Sequence, residues 1–384
     1  MSSLRLILTN SRYFGPAWVF ASLNILFGTW AIYIPIVKES LGIDKSQLGI
    51  AIFFLSLGVF TVFPIASTLI NRMGVGRATW LGLILCCLVA MLPFLAPNYY
   101  TLMGALYIFG AVMGFTDISM NTLVTELEKK DNTKFMSASH GFFSLGGVLA
   151  GLGSFMIGPL NNPLLHMGIA VALVFSVNLF FQGRYRQIIA DPVEKEPFSI
   201  KLFKPLLLLG LISFVSMGSE GAIIDWSGLY LKEISLAPEA LWGAGFLGFQ
   251  AMMTLGRFLG DGISARVGSV KIVGIGSVLA LMGYLLVLTT DIYWAIVGFA
   301  LAGLGFSVMV PEIFRIGGNV KGIDSSQGVS FIAGTGYSGF LIAPPILGFI
   351  ADSSSLKSCF IVLLCGTLLI MLASYGLYRK KANR

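Results

Sequence analysis

Twelve stretches of mostly apolar residues follow one another along this chain, at roughly 14–37, 48–70, 78–96, 101–125, 136–158, 164–182, 205–231, 239–260, 270–290, 292–316, 327–350 and 357–378. An α-helix needs about 20 such residues to cross the hydrocarbon core of a bilayer. The spacing therefore predicts twelve membrane-spanning helices and an all-α fold. Composition agrees: 56% of the 384 residues are hydrophobic and 11% are charged, against about 25% charged in an average soluble protein. A soluble domain of this size has nowhere to hide so much apolar surface. Pro64, Pro93, Pro311, Pro344 and Pro345 fall inside the runs, where neighbouring helices satisfy the carbonyls that proline frees. The segment 1–13 carries Arg5 and Arg12 like a signal-peptide start. The run behind it is too long and has no clear small-residue cleavage site, so it is expected to stay as the first span.

Basic residues orient the spans. With the N-terminus placed in the cytoplasm, 21 of the 25 Lys and Arg residues fall in the connections on that side. Only Lys38, Lys45, Lys232 and Lys357 fall on the other. The positive-inside rule then puts both termini of this multi-pass protein in the cytoplasm. The net charge of +7 belongs to these loops and does not point to nucleic acid. The longest connection, 183–204, is polar, holds Pro192 and Pro197, and separates a bundle of six spans at 1–182 from a second at 205–384.

The two halves echo one another. Lys38-Glu39 and Lys232-Glu233 lie 194 residues apart, as do Arg72-x-Gly74-x-x-Arg77 and Arg266-x-Gly268-x-x-Lys271. Gly114-Phe115 with Gly305-Phe306, and Gly141-Phe142 with Gly336-Tyr337, lie near that offset. Four matches in order argue for a duplicated six-helix unit, the parallel-repeat plan of many secondary transporters.

Polar residues inside the spans are the candidate functional groups. A carboxylate at a helix centre costs about 2.5–3.5 kcal/mol on insertion scales, so such groups face a bundle interior or a wet cavity. Glu220 and Asp225 share the apolar run from Leu206 to Leu231. Five positions apart, they differ by about 140° around the helix. One is expected to face a cavity and the other to join a helix contact, with Glu220, nearer the midplane, the candidate for the cavity; a structural ion pair is the alternative. Asp117 and Asn121 share one face of span 4 with Gly110 and Gly114. His140 shares a face of span 5 with Ser144 and Gly147, so an Asp117–His140 relay is possible, as is a simple packing role for the histidine. Glu312 and Arg315 are positioned to pair near the basic end of span 10. Asn24, Gln250 and Tyr337 lie near mid-depth and suit hydrogen bonding to a polar solute or to another helix. Trp30, Tyr33 and Trp226 suit either stacking on a sugar ring or the interfacial aromatic belt, the commoner role. His166 is expected at the interface.

The loop after span 2, with Arg72 and Arg77, and its counterpart with Arg257, Asp261, Arg266 and Lys271 resemble the cytoplasmic loop signature of the major facilitator superfamily, G-x-x-x-D-R-x-G-R-[RK]. Ser67 and Asn71 stand where that pattern has Gly and Asp. The resemblance implies that these charges, with Arg315, hold a cytoplasmic gate. The stretches 114–121, 140–147 and 220–228 are similar to the branch containing the fucose–proton symporters and a related bacterial group. That similarity implies proton coupling and a sugar-like substrate.

No Gly-Lys dipeptide occurs, which excludes a Walker A lysine. Two histidines and no H-E-x-x-H leave no zinc-hydrolase pattern. No metal or cofactor is expected and no enzymatic activity. The expectation is a monomeric, proton-coupled transporter of a small polar solute, working by alternating access between its two bundles. The rival readings are an exporter of amphipathic organic molecules and a non-transporting membrane sensor.

Overall fold

The computed structural model describes residues 3–189, 204–320, 323 and 325–382. The chain divides into two compact units, Met1–Glu194 and Lys195–Arg384. Unit 1 holds α1 (Ser11–Ser40), α2 (Lys45–Met73), α3 (Val75–Val89), α4 (Tyr99–Asp131), α5 (Met136–Gly153) and α6 (Pro163–Phe181). Unit 2 holds α7 (Leu207–Glu233), α8 (Ala244–Val267), α9 (Ser269–Val287), α10 (Ile292–Phe306), α11 (Ser325–Ser353) and α12 (Leu356–Ala382). Short helical pieces extend α3 at Leu92–Leu95, α5 at Ile157–Leu160 and α10 at Met309–Gly317.

Local chemistry sets the helix starts. Asp44, Asn98, Asn162 and Asp291 precede α2, α4, α6 and α10, and each accepts a hydrogen bond from a backbone N–H two or three residues on. These side chains satisfy amides that the first helical turn leaves unpaired. At the opposite ends, α2 passes into α3 through Gly74 and α8 into α9 through Gly268. The two glycines lie 194 residues apart and share a backbone conformation, φ/ψ 81°/140° and 90°/145°. A side chain is strained at such positive φ, so the glycines at this offset are a backbone requirement.

The same helix pairs meet in each unit. In unit 1, α1 packs on α5, α2 on α4 and α3 on α4; in unit 2, α7 packs on α11, α8 on α10 and α9 on α10. The close approaches also recur. A Cβ on Gly110 would lie 1.8 Å from the carbonyl oxygen of Leu55, and one on Gly303 would lie 2.2 Å from that of Phe249. A Cβ on Gly146 would lie 2.0 Å from the Ala21 oxygen, and one on Gly339 would lie 2.3 Å from the Phe214 oxygen. Small residues at helix crossings let backbones touch, which is how helices associate in lipid.

Eleven helices among the described residues are long and apolar enough to cross a membrane. α8 is not among them, because Gln250, Arg257, Asp261 and its glycines dilute its hydropathy. Its start also differs from the expected 239: Glu239–Leu241 form a separate 3-10 turn and α8 begins at Ala244. The expected single span at 292–316 is broken at Ser307–Val308. Pro311 sits in the first turn after the break, where its missing N–H is tolerated. Polarity is inverted relative to a soluble fold. Asn24 and Gln250 are buried while Phe180 is 82% exposed, the arrangement expected where the surrounding solvent is apolar.

The connection expected at 183–204 lies partly outside the described residues. Its described beginning is not a free tether. Tyr185 is buried, packs against Gly15 and donates its hydroxyl proton to Asn178 Oδ1. The Arg186 guanidinium lies 3.9 Å over the Trp80 ring. Gly76 N–H donates to the Ile188 carbonyl, and Lys130 Nζ donates to that of Ile189.

Candidate functional site

Unit 2 concentrates polar groups along the seam between α7 and α8. Arg257 NH2 of α8 lies 3.4 Å from Glu220 Oε1 of α7, and both side chains are largely buried, 15% and 10% exposed. Seven residues along each helix restores nearly the same face. Seven residues on from Glu220 is Ser227, and seven residues back from Arg257 is Gln250. The seam that brings Glu220 to Arg257 thus presents Ser227 and Gln250 two turns further along. The Ser227 Cβ is 3.1 Å from where a Cβ on Gly245 would be, which fixes the register of the two helices at that end. Gln250 is 1% exposed and Ser227 fully buried. The Ser227 hydroxyl and both amide atoms of Gln250 lack a hydrogen-bond partner among the described residues. Leaving a buried polar group unpaired costs about 1–3 kcal/mol, so this concentration requires an explanation.

Asp225 lies on a different face. Gly218 and Gly221 share that face and approach Gly339 and Phe340 of α11. Asp225 is 6% exposed, and its Oδ1 has no hydrogen-bond partner among the described residues. The sequence left open which of the two acids faces a cavity, with Glu220 the favoured one. In the structure it is Glu220 that is held by a neighbouring cation, while a carboxylate oxygen of Asp225 is unspent. The cation is Arg257, which the loop signature had assigned to the gate.

Near the other end of the unit, Arg315 NH1 lies 2.9 Å from Glu312 Oε1 and 3.0 Å from Ser264 Oγ of α8. Glu312 is 2% exposed, and the pair sits on the short helix behind the α10 break. Tyr337 of α11 is half-buried. In unit 1, Asn24 of α1 is fully buried and donates from Nδ2 to the Phe143 carbonyl at 2.9 Å, with Oδ1 unpartnered among the described residues. Asp117 is half-buried; its Oδ1 accepts from Asn121 Nδ2, one turn along α4, at 3.2 Å. The His140 ring meets Phe20 edge-on, centroids 5.1 Å apart.

Arg72, Arg77 and Arg266 are exposed. Lys271 Nζ lies 5.6 Å over the Tyr378 ring of α12. The side chain of Asp261 lies outside the described set.

The aromatic-belt expectation is overturned. Trp30, Tyr33 and Trp226 are each at most 1% exposed, whereas belt residues face lipid and water. The indole N–H groups of Trp30 and Trp226 have no partner among the described residues. These two donors were missed because an indole near a span end reads as an anchor; only packing shows it turned inward. His166, expected at the interface, is buried, and its Nδ1 lies 3.1 Å from the Tyr33 hydroxyl.

The family model described as the Major Facilitator Superfamily matches residues 18–320. The chain belongs to the Major Facilitator Superfamily. An uncharacterised MFS-type transporter of Yersinia pestis is 31% identical over 333 residues, covering 86% of this chain and 86% of that one. The membrane protein MosC of Rhizobium meliloti is 27% identical over 371 residues, 94% of this chain and 89% of its own. Among solved structures, the nucleoside transporter NupG superposes with a TM-score of 0.69 at 12% identity, covering 96% of this chain and 99% of that chain. The E. coli fucose:proton symporter FucP superposes with a TM-score of 0.61 at 16% identity, covering 95% and 99%. At these identities the solved structures bear on the fold alone. With the family membership and the bacterial relatives, this superfamily member is a multi-pass membrane transporter rather than an enzyme.

Proposed function

We propose that the protein moves a small polar, sugar-like solute across the cytoplasmic membrane by alternating access, driven by protons, with its basic connections and both termini in the cytoplasm. The observation that carries this reading is the seam of unit 2. Ser227 and both amide atoms of Gln250 are buried without hydrogen-bond partners among the described residues, two turns from a carboxylate–guanidinium pair. An apolar substrate gives these groups nothing to bond, whereas a polyhydroxy solute offers donors and acceptors to each of them. Asp225, with one oxygen unspent, is the proposed proton carrier. An acid that is dry in one state and wet in the other takes up and releases a proton as the states exchange. The Glu220–Arg257 pair couples solute to proton if the solute competes for either partner. Asp117 with His140, and Glu312 with Arg315, are assigned secondary places on the proton path. The likeness to a fucose:proton symporter supports the same direction by fold only.

The test is uptake by proteoliposomes under an imposed pH gradient, first screened against sugars, nucleosides and organic acids. Asp225→Asn is expected to abolish gradient-driven accumulation while leaving solute exchange at equal pH. Gln250→Leu is expected to weaken binding in both assays. Wild-type accumulation by Asp225→Asn would remove the proton assignment, and wild-type affinity in Gln250→Leu would remove the solute assignment.

A further inference from the structure

A concavity lies away from the α7–α8 seam. It is a groove of about 520 Å³ between α9 and α12. Its floor is apolar: Gly274, Ile275 and Val278 of α9 face Met371 and Ser374 of α12. Ile275 is 50% exposed, so the groove opens outward from the unit, where lipid surrounds a membrane helix. A Cβ on Gly274 would meet only Ser374 Cβ, at 3.9 Å. The absent side chain leaves space, and the two helices do not close it.

One end of the groove is cationic. Lys271, in the first turn of α9, lines it and sits over the Tyr378 ring. Arg379 sits 5.5 Å over the ring of Tyr375, which also lines it. The lining contains no carboxylate. Lys380 and Lys381 follow directly in the sequence. From Lys271 to Val278 the groove runs along seven residues of α9, roughly 10 Å, within one leaflet of a bilayer. The charge is at the end shared with the basic α8–α9 connection.

The geometry points to a binding site for one anionic phospholipid, its phosphate held by Lys271 and Arg379 and an acyl chain lying along Gly274 to Val278. The pattern is selective for an amphiphile with a negative head. A zwitterionic lipid cancels the attraction at the cationic end, and a free anion gives nothing to the apolar floor. Basic pockets between membrane helices recognise anionic headgroups through this combination. Lys271, expected from the loop signature to guard a gate, is here a headgroup ligand. Cation–π contact with Tyr378 keeps its ammonium at the mouth of the groove. The leaflet assignment rests on the orientation proposed above; the binding itself does not depend on transport.

Native mass spectrometry of the detergent-purified full chain tests the site. The probes are phosphatidylglycerol and phosphatidylcholine of matched chains. The wild type should retain phosphatidylglycerol in preference. The double variant Lys271→Gln/Arg379→Gln should weaken that retention roughly 10- to 30-fold, the effect of two surface charges near a headgroup. Gly274→Leu keeps both charges, starts from a Cβ whose nearest neighbour is Ser374 Cβ at 3.9 Å, extends into the groove, and should displace the same lipid. Equal retention of the two lipids overturns the proposal. So does undiminished phosphatidylglycerol binding in the charge variant. Undiminished binding in Gly274→Leu, or displacement by inorganic phosphate alone, makes the site a simple anion contact and overturns the groove. Monodisperse elution and an unchanged unfolding midpoint of each variant establish that the loss is local.

Discussion

At the scale of single residues, the energetics turn on which buried polar groups have partners. Arg257 is the cation that lets Glu220 sit in the seam of unit 2. Arg257→Leu should cost about 3–5 kcal/mol, the usual penalty for stranding one member of a buried pair. The double variant Arg257→Leu/Glu220→Gln should recover most of it, because the stranded charge is gone. Thermal unfolding in detergent reads both, and a single variant as stable as wild type would show that the pair contributes nothing to the fold. Tyr185 supplies a second case, outside the spans. Burial pushes its phenol well above the ordinary value, so it remains a donor to Asn178 through neutral and alkaline pH. Tyr185→Phe leaves a buried amide oxygen unpaired and should cost about 1–3 kcal/mol. The loss should be pH-independent across the neutral range, as expected when the proton stays on the phenol throughout.

At the scale of helices, glycine placement decides how close two backbones come. A methyl group at Gly110 or Gly303 would overlap a carbonyl oxygen of the partner helix, and neither main chain can yield without separating α2 from α4 or α8 from α10. Each Gly→Ala change should therefore destabilise by about 1–3 kcal/mol, the range for overpacking. Gly104→Ala is the control: its Cβ meets nothing within 4 Å, and the change should be neutral or slightly stabilising through helix propensity. This is also where the sequence was most readable. The apolar runs follow from bilayer thickness, the Gly74/Gly268 turns from backbone geometry and the 194-residue offset from duplication, and each leaves a trace along the chain. The candidate site left a weaker one. The spacing of Glu220 and Asp225 showed that they face apart, but which one meets a cation depends on Arg257, a residue of another helix whose azimuth the loop signature obscured. Trp30 and Trp226 failed for a related reason: depth is legible in a sequence, whereas inward or outward orientation of an amphipathic ring is set by packing.

At the scale of the whole molecule, the strongest sequence signal concerns orientation, because it sums over many residues instead of resting on one. With 21 basic residues assigned by sequence to one side of the membrane and four to the other, no single substitution should invert the protein. The connections after α1 and α7 then face outward, and those after α6 and α10 face the cytoplasm. Ser40, Glu239, Gln187 and Asn319 are exposed representatives of these four connections. Single cysteines at these positions, in a chain with Cys86, Cys87, Cys359 and Cys365 replaced, should separate cleanly with a membrane-impermeant maleimide. Ser40→Cys and Glu239→Cys should label in intact cells; Gln187→Cys and Asn319→Cys should label only after the membrane is opened. The pairs test the repeat as well as the orientation, since Ser40 and Glu239 lie in corresponding connections of the two units. A parallel repeat requires them to share a side, and an inverted one requires them to differ. Labelling of Ser40→Cys without Glu239→Cys in intact cells would therefore contradict the parallel duplication as well as the proposed topology. The reverse pattern, with Gln187→Cys and Asn319→Cys labelled first, would keep the duplication and turn the whole molecule over, moving the anionic-lipid groove to the outer leaflet.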